Sequence, residues 1–121
     1  MARVLLIEDD ELVRYSLVEL LEEAGHTVMQ RENGFQLLSF IEDNPVDVVI
    51  TDIVMPEVDG MEVLTTLRKS HPSLPVIALS GGGRISGSDY LEMADAIGAK
   101  RTIHKPVKPD ALLQAVEELA A

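Results

Sequence analysis

Polar residues stand where four short apolar runs stop: Asp9-Asp10 after VLLI, Asp52 after DVVIT, Ser80 after PVIAL and Lys105 after TIH. Gathered in one place, three carboxylates, a hydroxyl and an amine suit a divalent cation and a phosphoryl group. Carboxylates a few ångströms apart repel by a few kcal/mol at an effective dielectric of ~20. Such a cluster takes up protons or recruits a cation, and hard oxygen ligands select ions of the Mg²⁺ type. A carboxylate such as Asp52 can attack a phosphoryl group and hold it as a mixed anhydride. That reaction calls for a metal to offset charge on the phosphoryl oxygens and for donors to hold them. The Ser80 hydroxyl and the Lys105 ammonium are such donors.

Each residue alone has a plainer reading. The acidic run Glu8–Glu11 complements a helix dipole, and Asp52 is an ordinary strand end or N-cap. Ser80 is a turn residue and Lys105 a solvated lysine. Joint occurrence at separate strand ends is what carries the inference.

The elements that must position these groups alternate regularly. Strand-like runs cover Val4–Ile7, Thr27–Gln30, Val46–Thr51, Val76–Leu79 and Arg101–His104. Between Glu11 and Ala24, Leu12, Leu17, Leu20, Leu21 and Ala24 recur at helical offsets, and Gly25 closes that helix. A second helix is expected over Gln36–Glu42, ending before Asn44-Pro45, and a third over Met61–Ser70, ending before Pro72. A fourth is expected near Asp89–Ile97, after the glycine-rich loop Gly81–Ser88. A fifth opens at Pro109 and buries Leu112, Leu113, Val116 and Leu119. Five βα units imply an α/β domain with a parallel five-stranded sheet covered by helices on both faces. The flavodoxin-like, doubly wound order 2-1-3-4-5 sets the ends of strands one and three side by side.

The chain has 121 residues, enough for one domain with a proper core, and a mean hydropathy of +0.14 fits a folded globule. A net charge of −11 argues against direct binding to nucleic acid or to anionic membranes. With no cysteine, disulfides and zinc–thiolate sites are excluded. The first strand starts by Arg3, which leaves no room for a signal peptide, and no apolar run is long enough for a transmembrane helix. Cytoplasmic residence is the expectation. His26, His71 and His104 form no metal pair, and His104 is expected to be partly buried. Met29 and Met55 look like gap-filling contacts.

LIEDDE after the first strand, TDIVMPEVDG around Asp52, ALSG at Ser80 and HKP at Lys105 together resemble the receiver domain of two-component response regulators. The resemblance covers essentially the whole chain. It implies that Asp52 accepts a phosphoryl group from a sensor histidine kinase or a phosphotransfer protein. It also implies that Asp10, Asp52 and the backbone carbonyl of Val54 bind Mg²⁺ (or Mn²⁺), with Asp9 holding the metal through water. Ser80 and Lys105 would contact the phosphoryl oxygens. The output would be altered binding to a downstream target, an effector domain or a second copy, on the face of the fourth helix, fifth strand and fifth helix. Such a domain is a signalling switch and not an enzyme that turns over a separate substrate. Two other classes share the topology or the chemistry. A flavodoxin-like cofactor protein needs donors around a phosphate after strand one, where this chain has four acidic residues. An aspartyl-phosphate phosphohydrolase usually needs a longer chain.

The chain departs from the family at Thr102, where receiver domains often carry Tyr or Phe as a switch. Output is therefore expected through the Gly81–Ser88 loop and the fourth helix, with Tyr90 more plausibly a half-buried helix residue than a substitute ring. The GGG in that loop lacks the spacing of a phosphate cradle and reads as a hinge. Neither Val54 nor Gly82 offers a polar side chain to place a hydrolytic water. The acyl phosphate is thus expected to be long-lived, and rapid loss of label from the isolated domain would contradict this.

Overall fold

The computed structural model describes residues 1–52, 60–80 and 98–120. Five strands, β1 (Arg3–Ile7), β2 (Thr27–Arg31), β3 (Val48–Asp52), β4 (Val76–Ser80) and β5 (Arg101–His104), form one sheet. The order is β2-β1-β3-β4-β5 and every pairing is parallel, as the alternation of elements requires. The described helices are α1 (Glu11–Glu23), α2 (Leu37–Asp43), α3 (Gly60–Ser70) and α4 (Pro109–Ala120). The last is the helix counted fifth in the sequence. The helix expected at Asp89–Ile97, the Gly81–Ser88 loop with Gly82, Tyr90, Val54 and Met55 lie outside the described residues.

Strand pleating divides the core. Successive side chains point to opposite faces, so Val4 and Leu6 pack with Val48, Ile50, Ile77 and Leu79 against Leu17 and Leu21 of α1 and Leu112 and Val116 of α4. Leu5, Ile7 and Val49 pack on the other face with Leu37 and Ile41 of α2 and Val63, Leu64 and Leu67 of α3. A strand covered on both sides can be apolar throughout, which is why VLLI and VVI read as unbroken runs. Each fully buried Leu or Ile contributes ~1.5–3 kcal/mol. Leu113 and Leu119 are only partly buried on the α4 side.

Local signals set most boundaries. Gly25 takes φ +94 and ends α1 in a Schellman motif: its N–H donates to Glu22 O and that of His26 to Leu21 O. Asn44 precedes Pro45 and leaves the helical region at φ −134, which stops α2. Two expectations need correction. Strand β3 begins at Val48 and not at Val46, because Asp47 is engaged with the start of β1. His104 is exposed, because it sits on an edge strand where three of four residues face solvent. Among the described residues no helix is long and apolar enough to cross a membrane.

The Arg3–Asp47 contact pins the sheet edge opposite the carboxyl ends of the strands. Arg3 N–H donates to Asp47 Oδ2 at 2.7 Å, and the guanidinium reaches Asp47 Oδ1 at 3.3 Å. The backbone hydrogen bond from Arg3, helped by its side chain, holds the Asp47 carboxyl below its ordinary value of 3.8. Stability from this group is present above the unfolded value and disappears as pH falls through the lower folded value. Replacing Asp47 with Ala should cost about 1 kcal/mol at neutral pH, the half-exposed pair being screened. In urea melts the gap between parent and Asp47→Asn should close as pH drops below the ordinary aspartate range; a gap that persists in acid would refute the assignment.

Candidate functional site

Register fixes what meets at the carboxyl edge. Ile7 pairs with Thr51, so the next residues, Glu8 and Asp52, lie side by side at the carboxyl edge. Leu79 pairs with Asp52 and Ser80 with His104, so Lys105 follows one step beyond β5. The Lys105–Pro106 peptide is cis.

The centre of the site is a charged triad. Lys105 Nζ donates to Asp52 Oδ2 at 2.6 Å and to Glu8 Oε1. The Glu8 side chain is fully buried, and Asp52 is 6 % exposed. Burial is the largest influence on Glu8 and pushes its pKa up to about 7; the hydrogen bond from Lys105 works against this, and neighbouring Asp52 adds to it. For Lys105, burial favours the neutral amine, but hydrogen bonds to Asp52 and Glu8 outweigh it and hold the pKa above the usual lysine value. The ammonium therefore stays charged between Asp52 and Glu8.

Asp9, exposed at the mouth, completes a group: one carboxylate oxygen each from Glu8, Asp9 and Asp52 lie within 4.8 Å of one another. One positive charge does not neutralise three acids. Glu8 Oε2 is buried and has no hydrogen-bond partner among the described residues. A buried carboxylate oxygen left without a donor costs about 1–3 kcal/mol or more. Such an oxygen suits a hard cation, and Glu8, Asp9 and Asp52 could hold one.

The sequence-named residues fare unequally here. Asp9, Asp52 and Lys105 are brought together. Ser80 closes β4 at the same edge, and its side chain lies outside the described part of the structure, as does Val54. Asp10 is placed differently from expectation: it is exposed, and its Oδ1 accepts from Leu12 N–H at 3.0 Å and Val13 N–H at 3.2 Å, as the N-cap of α1. Glu8, passed over in the sequence reading, holds the inner position instead. The missed signals were the one-step register from Ile7 and the position of Asp10 just before the first helical residue, which is an N-cap signature. Thr102 is exposed on β5.

Comparison with known proteins agrees with this fold. The family model described as a response regulator receiver domain matches residues 4–117. The response regulator receiver protein CpdR of Brucella abortus is 31% identical over 119 residues, which cover 98% of this chain and 97% of that protein. Response regulator MprA of Mycobacterium sp. is 35% identical over 97% of this chain but 50% of its own length. A segment of sensor kinase CckA from Brucella abortus is 43% identical over 66% of this chain and 9% of that protein. The chain thus spans half or less of several relatives it matches. A response regulator receiver domain of Clostridium thermocellum superposes with a TM-score of 0.89 at 31% identity, covering 99% of this chain and 94% of that one. With the receiver topology, the charged triad at the strand ends and a family match over nearly its full length, the chain belongs to the response regulator receiver domains of two-component signalling.

Proposed function

We propose that Asp52 accepts a phosphoryl group in a Mg²⁺-dependent reaction and that the resulting change at Lys105 alters partner binding. The observation that carries this reading is the triad of Asp52, Lys105 and Glu8 with its unpartnered buried oxygen. A carboxylate oxygen of Asp52 attacks phosphorus, an O–P bond forms, and the P–N bond to the donor imidazole breaks. The electron pair of that bond leaves on the imidazole nitrogen. Mg²⁺ (or Mn²⁺), when bound, offsets charge on the phosphoryl oxygens.

Glu8, Asp9 and Asp52 are the residues that would hold the ion, together with the Val54 carbonyl proposed from family resemblance. Lys105 is held 2.6 Å from Asp52 by a contact that leaves its ammonium beside any group added there. It is the residue that would follow the phosphoryl oxygens, with Ser80 as a second donor. Asp10 is assigned to the helix cap and not to the ion. A sensor histidine kinase or phosphotransfer protein is the proposed donor, and a downstream protein, an effector domain or a second copy is the proposed recipient of the signal. The presence of a similar segment inside a sensor kinase and inside longer regulators supports these pairings.

Intact mass after treatment with a small phosphodonor should rise by one phosphoryl group with Mg²⁺ and not after chelation. Asp52→Asn should show no gain, and a full gain in that variant would refute the assignment. The division of labour between Glu8 and Asp10 is tested by calorimetric Mg²⁺ titration. Glu8→Gln should weaken binding at least tenfold, since it removes a charged ligand. Asp10→Ala should bind Mg²⁺ as the parent does but lose about 1 kcal/mol of stability from the cap. The reverse pattern would restore Asp10 as the ligand.

A further inference from the structure

The segment Glu8–Asp10 is short and carries three acids, and its course out of β1 is held in part by one residue of α1. The Arg14 N–H donates to Asp10 O at 2.8 Å as the first intrahelical bond. The Arg14 side chain turns back, and its Nη1 donates to Glu8 O at 2.9 Å. Its Nε donates to Gln30 Oε1 at 3.1 Å, and its guanidinium lies 5.4 Å from the Tyr15 ring centroid. Glu8 N–H meanwhile donates to Arg31 O at 3.0 Å. Both peptides flanking Glu8 are therefore held, the one before it through the Glu8 N–H and the one after it through the Glu8 carbonyl. This fixes the direction of the Glu8 Cα–Cβ bond and orients the peptide from which Asp9 departs.

We propose that Arg14 is a positioning residue for cation binding: it clamps the Glu8 carbonyl so that the Glu8 and Asp9 carboxylates converge on Asp52. Gln30 aims the clamp. An arginine is suited to this because its planar fork serves two acceptors at once, whereas a lysine offers a single point of charge with no fixed plane. The Arg14 guanidinium donates to the Glu8 carbonyl and to Gln30, so its influence on the acidic group passes through the backbone of Glu8. Outer-shell groups of this kind shape affinity for the ion without ligating it. The proposal rests on the reading that Glu8 and Asp9 hold the cation.

The test compares Mg²⁺ binding by calorimetry in the parent, Arg14→Met, Arg14→Lys and Gln30→Ala, alongside the Mg²⁺ dependence of phosphoryl uptake from a small phosphodonor. Arg14→Met keeps the aliphatic stem and should weaken Mg²⁺ binding by about tenfold or more. Its uptake should need more Mg²⁺ for half-saturation yet approach the parental rate when Mg²⁺ saturates. Arg14→Lys should recover part of the affinity. Arg14→Met that folds and binds Mg²⁺ like the parent overturns the proposal. Should Arg14→Met not fold, Gln30→Ala decides, with several-fold weaker binding expected and parental affinity overturning it. A parent that binds no Mg²⁺ defeats the underlying reading instead, so the two failures are told apart.

Discussion

A buried carboxylate is the constraint around which the site is arranged. Glu8 lies fully inside the protein, one residue past a strand whose last four residues are also buried. Removing an ionised carboxylate from water costs several kcal/mol even after relaxation. Lys105 offsets part of that cost, and a pair of opposite charges at 4 Å gains ~4 kcal/mol at an effective dielectric of 20. The lysine can do so only if the turn after β5 reaches across β4 and β3 to the end of β1. Glu8, Asp52 and Lys105 thus tie three strand ends together, and the sheet order 2-1-3-4-5 is the arrangement in which those ends are near enough to meet.

Most of this could be read from the chain because burial writes itself into pattern. Strands covered on both faces appear as unbroken apolar runs, and α1 shows its buried face through Leu17 and Leu21 and its stop through Gly25, although Leu12, on the same expected stripe, is exposed. What could not be read is where local and tertiary demands compete for the same residue type. Four consecutive acids follow β1, and any two could face the site. The pairing register and the start of α1 decide between them. Asp47 is a similar case: an apolar-flanked residue that looks like strand, until the Arg3 backbone claims its carboxylate and β3 starts one residue later.

Asp10 shows why the competition has a definite winner. The first turn of a helix leaves N–H groups without partners, and a carboxylate that accepts two of them is held by geometry and by the helix dipole together. Turning Asp10 inward would orphan Leu12 and Val13 N–H and place another acid beside Glu8, Asp9 and Asp52. Keeping it on the helix satisfies those donors and limits the repulsion. The same first turn brings Arg14 back over Glu8, so helix initiation and the aim of the acidic turn are parts of one hydrogen-bonded unit.

The strands that feed the site differ in how hard they are to move. β1 and β3 lie inside the sheet, and shifting either would open packed surface on both faces. β5 is an edge strand with a single ladder, to β4, and with Arg101, Thr102 and His104 exposed. Among the described residues it is tied to α4 by Ile103, which packs in the apolar cluster of Leu112 and Val116, and by the Arg101–Glu118 pair at 2.9 Å, half exposed on both sides and therefore weak. An exposed Thr102 adds no buried ring to hold it. Under the proposed phosphorylation, a charge added at Asp52 would pull on Lys105, the residue that follows β5. Of the three strands joined by the triad, the one that carries Lys105 is thus the one at the sheet edge, so the proposed switching would be expected to act at β5 before it disturbed the core.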